Sequence, residues 1–199
     1  MPFQTAVLAS DNKGKLDEFK LLLASIEFEL RPQSHYKIDA IPETGTSFLE
    51  NALLKARHAS RLTSLPTLAD DSGLVVPSLN GAPGIYSARY AGTSANSEKN
   101  NLKLLEALRN SESRRAYFFC TLVFLLHSED PTPIVAFGEW HGNIADEAKG
   151  NNGFGYDPLF VAKGFQITAA QMEPELKNRV SHRAIASTNL IRSIQDRRA

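Results

Sequence analysis

Two adjacent aspartates, Asp70 and Asp71, stand in LADDSGL at residues 68–74, between two apolar runs. Carboxylates so placed suit two kinds of chemistry. One is metal binding: magnesium takes one or two carboxylates and completes its shell with water and substrate phosphate. The other is general-base work, in which a carboxylate orients and deprotonates water. Successive side chains on a strand point to opposite faces, so only one of the pair aims into a given cleft, and the sequence leaves open which. The bland alternative is a polar turn between two strands. Glu43, in the loop segment IPETG, is free for a metal-binding or a structural role. Glu50 has a competing use, because Ser47 and Glu50 form the S-x-x-E pattern of a capping box. Taken singly, each acid is more often structural or solvated than functional.

Three further segments carry polar groups in patterns that suit a nucleotide. SDNKGK (Ser10, Asp11, Asn12, Lys13, Gly14, Lys15) joins the first predicted strand to the first predicted helix. A helix N-terminus there presents free N–H groups and a positive dipole end to an anion. On this segment alone, an N-cap turn with two solvated lysines is the stronger reading. No P-loop and no dinucleotide fingerprint is present. GFGYDP (153–158) places Phe154 and Tyr156 among glycines, where an aromatic face can stack on a base and Asp157 can accept from ring N–H groups; two buried aromatics in a Gly-rich turn explain it equally well. LKNRVSHR (176–183) adds Lys177, Arg179, His182 and Arg183, either a solvated helix face or cations for phosphate and donors for a base carbonyl. Arg57, His58, Arg61, His127 and His141 have no spacing that suggests a metal site or triad. Ser72 lies in no nucleophile elbow.

The elements that must hold these residues follow from periodicity. TAVLAS (5–10) reads as a buried strand. GKLDEFKLLLASI reads as a helix with Leu16, Phe19, Leu22, Leu23 and Ile26 on one face, and FELRP (28–32) as a second strand. That β-α-β opening favours a parallel pair with a right-handed crossover. SFLENALLKARHASRL reads as a helix, TLADD and GLVV as strands bracketing the aspartates, NGAPGIYSARYAG (80–92) as a loop, and SEKNNLKLLEALRN (97–110) as a helix. RAYFFCTLVFLL and PIVAFGEWHGNIA read as two long strands, antiparallel across the turn HSEDPTP. GNNGFGYDPLFV is a Gly-rich loop entering a short strand. The C-terminal stretch from EPELK reads as one or two helices with a break near RVSHR. No linker separates independent domains, so the expectation is a single domain over 1–199: an α/β fold with a mixed central sheet flanked by helices, in which the long hairpin forms a second lobe or a subunit contact.

The composition is ordinary for a globular chain of 199 residues, with 42% hydrophobic and 22% charged residues. Lys plus Arg and Asp plus Glu both number 22, for zero formal net charge. That argues against polymeric nucleic acid as the main partner but leaves room for a small anionic substrate. Cys120 is the single cysteine and lies in an apolar run; it excludes a disulfide scaffold and points to a reducing compartment. The first fifteen residues do not read as a secretory signal, and the longest apolar stretch is too short to span a bilayer. The expectation is a cytoplasmic protein without membrane contact.

Taken in order, LASDNKGKLDEF, ETGTSFLENALLKA, ADDSGLVVPSLNGAPGIYSARYAG, GNNGFGYDPLF and SHR resemble the inosine triphosphate pyrophosphatase family over nearly the whole chain. The resemblance implies two lobes around a substrate cleft, a homodimer, and Mg2+-dependent hydrolysis of dITP, ITP or XTP to the monophosphate and pyrophosphate. It implies that Asp71 is the proton acceptor and a metal-associated carboxylate, with Glu43 as a second metal-associated acid. By the same resemblance Ser10, Asn12, Lys15, Lys55 and Ser72, within a substrate-binding segment that includes Asp11, Lys13 and Gly14, contact the triphosphate. Phe154, Gly155, Tyr156 and Asp157 match the base-binding loop, and Lys177, His182 and Arg183 the C-terminal substrate contacts. The chain departs from the family at GNNG, where Gly-Thr-Gly-Gly is frequent, and at Gln171, where an acid is usual. Donors such as Arg183 would donate to the 6-carbonyl of hypoxanthine or xanthine and mispair with the 6-amino group of adenine. Two rival readings are a non-catalytic nucleotide-binding regulator and a Maf-type pyrophosphatase; the latter fits less well because SDNKGK stands where that family has a Ser-x-Ser-Pro-Arg-like segment.

Overall fold

In a computed structural model, residues 5–26 and 28–197 are described. Six strands form one sheet: β1 Thr5–Leu8, β2 Glu29–Pro32, β3 Thr67–Val75, β4 Arg115–Leu125, β5 Ile134–Ile144 and β6 Phe160–Ala162, in the order β2-β1-β3-β4-β5-β6. β1 pairs in parallel with β2, Ala6 opposite Leu30, and with β3, Leu8 opposite Leu68. β5 and β6 pair antiparallel, Ile144 opposite Phe160. The sheet is therefore mixed, as the β-α-β opening and the later long strands require. Among the described residues, five α-helices accompany it: α1 Lys13–Leu22, α2 Phe48–Thr63, α3 Ser97–Ala107, α4 Pro174–Val180 and α5 His182–Asp196.

The helix boundaries have local causes. Asn12 caps α1, its Oδ1 accepting from the Lys15 N–H at 3.0 Å. Ser47 and Glu50 form the expected reciprocal capping box on α2. The expected break near RVSHR falls at Ser181, the extended C-cap of α4. One expectation is corrected. The aspartates do not end a strand, because β3 runs unbroken from Thr67 to Val75 with Asp70 and Asp71 in its middle. A strand can carry two buried carboxylates where cations meet them on both faces, as described below. The 80–92 loop also holds more structure than expected, with a 3-10 segment over Gly84–Arg89.

The chain divides into two compact units. The first comprises residues 1–71, 120–138 and 183–199. Its sheet is covered on both faces. On one face Leu68, Cys120, Leu122 and Phe124 pack with Phe19 and Leu23 from the α1 segment and with Ala186, Leu190 and Ile194 of α5. On the other, Val7, Ala69, Val123 and Leu125 pack with Ala52, Ala56 and Ala59 of α2. Small residues on α2 let that helix lie close to the sheet. The period of two along β3 sets Leu68 on the α1/α5 face and Ala69 on the α2 face. The second unit comprises residues 72–119 and 139–182. Its core gathers Leu74, Leu104, Phe118, Trp140, Leu159, Phe160 and Met172, with the Phe118 and Phe160 rings edge to face at 4.8 Å.

Candidate functional site

The alternation that separates Leu68 from Ala69 also separates the aspartates. Asp71 follows Ala69 onto the α2 face and Asp70 follows Leu68 onto the α1/α5 face. On the α2 face, Lys55 Nζ donates to Asp71 Oδ1 at 3.0 Å, to Glu43 Oε1 at 2.8 Å and to the Asp70 carbonyl oxygen at 2.8 Å. Asn51, one turn before Lys55, donates from Nδ2 to Asp71 Oδ2 at 3.4 Å, and its Oδ1 accepts from the Gly45 N–H at 2.8 Å. The loop that carries Glu43 is thereby tied to the helix that carries Lys55. Burial is the largest influence on Asp71 and raises its pKa; Lys55 opposes it, Glu43 and Asp70 add to it, and the carboxyl is pushed up to about 6. Burial also works against the charge of Lys55, but Asp71 first, then Asp70 and Glu43, outweigh it and raise its pKa.

On the other face Asp70 is almost wholly buried. Its Oδ1 is ion-paired with Lys15 Nζ of α1, and its Oδ2 lies 3.7 Å from Arg183 Nε of α5. The Cys120 thiol donates to the same Oδ2 at 3.6 Å. Burial pushes the Asp70 carboxyl up, yet Lys15 first, then Arg183 and Lys55, hold it well below the usual carboxylate range. Arg183 Nη1 in turn donates to Glu18 Oε2 at 3.1 Å. The thiol of Cys120 is itself pushed up by burial and by Asp70, so it is no thiolate nucleophile.

The SDNKGK segment is partly spent on its own turn. Ser10 Oγ accepts from the Asn12 N–H at 3.2 Å. Asp11 accepts from Gln33 Nε2 at 2.7 Å and from the Ser34 N–H at 3.0 Å, which fastens the turn to the segment after β2. Lys13 and Gly14 are exposed in the first turn of α1. Glu50 accepts from the N–H and hydroxyl groups of Thr46 and Ser47 at 2.7–3.1 Å, the capping use read from its spacing. Ser72 is half-buried on β3.

In the second unit the GFGYDP loop is built around Asp157. Its Oδ2 accepts from the Phe154 N–H at 2.8 Å and from Lys177 Nζ at 2.6 Å. Lys177 also lies 5.2 Å from the centre of the Phe154 ring. Gly153, at φ +75°, leaves room beside Asp157 Oδ2 that a Cβ would fill. The two aromatics separate: Tyr156 is buried and donates from its hydroxyl to the Ser87 carbonyl at 2.9 Å, whereas Phe154 is 43% exposed. Phe154 is thus the open face, backed by a cation. Asn101 of α3 donates to the Gly155 carbonyl at 3.2 Å. His182 is buried with its ring stacked on Phe118 at 4.8 Å. Where the chain departs from the resemblance, the replacements serve the loop. Asn152 Nδ2 donates to the Met172 carbonyl at 3.1 Å, and Gln171 Oε1 accepts from the Thr168 N–H at 3.0 Å in a capping box that Glu or Gln completes alike.

Three contributors had escaped the sequence reading. Asn51 carried a usable signal, since it precedes Lys55 by four residues on one helix face. Asn101 and Glu18 carried none, because their partners are 54 and 165 residues away. Among the described residues no group of three or more His, Cys, Asp or Glu side chains is arranged to hold a metal ion, and no helix is long and apolar enough to cross a membrane.

Comparison with known proteins adds independent findings. The Ham1 family model matches residues 6–193. A dITP/XTP pyrophosphatase of Xanthomonas oryzae pv. oryzae is 52% identical over 186 residues, 92% of this chain and 94% of its own. One from Chromobacterium violaceum is 49% identical over 193 residues, 97% and 98% of the two chains. The structure of a HAM1 protein from Coxiella burnetii superposes with a TM-score of 0.93 at 44% identity, covering 98% of this chain and all of that one. The Ham1 protein of Staphylococcus aureus gives 0.87 at 39% identity, with the same coverage.

Proposed function

The chain belongs to the Ham1 family, and from that premise we propose that it is a nucleoside triphosphate pyrophosphatase, hydrolysing deaminated purine nucleotides such as dITP, ITP and XTP to the monophosphate and pyrophosphate. The observation that carries the chemistry is the meeting of Glu43 and Asp71 on the single ammonium of Lys55, with Asp71 pushed up to about 6. A carboxylate of that basicity is suited to take a proton from water near neutral pH.

The same pair fits magnesium. Glu43 and Asp71 converge on one ammonium, and burial first, with the Glu43 charge adding to it, makes the Asp71 carboxylate costly to keep ionised without a further cation. One or two protein carboxylates, with the rest of the shell from water and phosphate, are what this ion takes. Glu43 and Asp71 would hold the ion, which when bound neutralises charge on the phosphates and acidifies water.

The residues of the chain then divide the work. Asp71 orients a water and takes its proton as the water oxygen bonds to the α-phosphorus and the α–β bridging bond breaks, the electron pair leaving with pyrophosphate. Lys13, Lys15 and Lys55, with Ser10, Asn12 and Ser72, offset and position the triphosphate; phosphoanhydride hydrolysis asks the protein for little beyond this. Asp11 and Gly14 shape the turn that carries them. Phe154, backed by Lys177 and supported by Gly155, Tyr156 and Asp157, gives the base a stacking face. Arg183 donates to the 6-carbonyl, with His182 as its buried neighbour; a mispaired donor against adenine costs ~1–3 kcal/mol, tenfold or more. We place the enzyme in the cytoplasm as a homodimer, with no membrane or polymeric nucleic acid as partner.

The test is pyrophosphate release from dITP, XTP, dGTP and dATP with and without magnesium. Magnesium-dependent release from dITP and XTP, with much less from the other two, is the expected result. Equal release from all four removes the base-recognition assignment and keeps the catalytic one. Tight dITP binding without turnover favours a regulator instead.

A further inference from the structure

We propose that Asp70 is a positioning residue that sets three substrate-directed cations at once, a role separate from that of its neighbour Asp71. Each of the three oxygens of Asp70 faces a cation. Oδ1 pairs with Lys15, Oδ2 lies 3.7 Å from Arg183 Nε, and the carbonyl oxygen accepts from Lys55 Nζ at 2.8 Å. These cations come from α1, α5 and α2, three elements far apart in sequence. Asp70 itself is 1% exposed, so it reaches no substrate and acts only through the groups it holds.

The position of Asp70 on the strand explains why it serves this purpose and Asp71 does not. Its side chain lies on the α1/α5 face, opposite the face where Asp71 meets Glu43 and Lys55, so it is no third acid of that pair. A buried carboxylate without cations would be costly; here Lys15 and Arg183 flank it, and it draws both toward one strand. The thiol of Cys120, 3.6 Å from Oδ2, and the Glu18 carboxylate, 3.1 Å from Arg183 Nη1, complete the surround. Lys and Arg side chains lose much rotamer freedom when ordered. One rigid acid on a central strand orders Lys15 and Arg183 before any substrate arrives, which is the condition for efficient positioning.

The inference rests on the functional reading above for the substrate, and its test separates the two. Asp70→Glu keeps the charge and moves the carboxylate by one methylene; the added volume in a packed interior lowers the thermal midpoint, so activity and binding are compared at a temperature where both proteins are folded. We expect kcat/KM for dITP to fall about 100-fold, the scale of a misplacement of about 1 Å, and binding of inorganic tripolyphosphate to weaken. In the Lys15→Met background the same substitution should cost far less, because one of its targets is already gone. Wild-type kcat/KM in Asp70→Glu, or equal losses in the two backgrounds, would overturn the inference. If the wild type hydrolyses no nucleotide, the functional reading fails. Tripolyphosphate titration then decides: unchanged binding in Asp70→Glu overturns the inference and weakened binding sustains it.

Discussion

Lys55 and Asp71 face each other at 3.0 Å, and the lysine is held there by two further oxygens, those of Glu43 and the Asp70 backbone. The pair is not a simple surface ion pair. Lys55 draws the pKa of Asp71 down while burial, Glu43 and Asp70 drive it up, and the balance leaves the acid near neutrality. The contest between these influences yields several measurable consequences.

The first concerns the acid limb of the pH profile. A general base acts ionised, so kcat/KM for dITP should fall about tenfold per pH unit on an acid limb that lies at or below about 6, the value of Asp71 without metal, and that moves lower as Mg2+ is raised. Lys55 lowers the pKa of Asp71, so Lys55→Met should move that limb to higher pH. Rates of pyrophosphate release from about pH 5 to about pH 9 show this directly; a limb that stays put in the variant removes Lys55 from control of Asp71.

The second concerns stability. The folded pKa of Asp71, about 6, lies above its ordinary value of 3.8. Between those values the native state binds more protons than the unfolded state, so this group lowers stability as pH rises through the window. At pH 7 the cost is about 2–3 kcal/mol. Asp71→Asn in metal-free buffer should therefore be more stable than the wild type at neutral pH, with the difference gone near pH 4. Its turnover should fall ~10²–10⁴-fold. Thermal melts across pH give the answer, and equal melting at pH 7 would count against it.

The third concerns the second unit. Asp157→Asn leaves the buried Lys177 without its carboxylate, 2.6 Å away in the wild type. Breaking such a pair costs about 3–5 kcal/mol. Urea unfolding should show that loss, and the KM for dITP should rise with it as the Phe154 loop loosens.

Phe154→Ala makes the opposite prediction for stability. The ring is 43% exposed, so the melting temperature should hardly move. Loss of a stacking face worth ~1–3 kcal/mol should raise the KM for dITP about tenfold or more with kcat retained. A fall in kcat at constant KM would place Phe154 elsewhere in the mechanism.

Much of this was legible in the residues. The capping box at Ser47 and Glu50 appears where the spacing put it, because a helix start is a local problem solved within four residues. The break at Ser181 and the long strands around Cys120 and Trp140 are likewise local matters of periodicity. The end of β3 was misplaced for the converse reason. Local chemistry reads two aspartates as a turn, and only Lys15 and Lys55, 55 and 15 residues before Asp70, make them tolerable inside a strand. Within GFGYDP, sequence could not tell which aromatic is buried; Tyr156 is, because Ser87 offers its hydroxyl a carbonyl partner.

The sequence by itself determined the order of elements, the motifs that identify the family, and the rule that Asp70 and Asp71 must point apart. It could not say which way either points. That depended on α2 lying on one face of the sheet and α1 with α5 on the other, a matter of how distant apolar surfaces pack. Once packing had placed Lys55 on one side and Lys15 and Arg183 on the other, one aspartate was pushed up to about 6 by burial, with Glu43 adding to it, while its neighbour met two cations that hold it ionised.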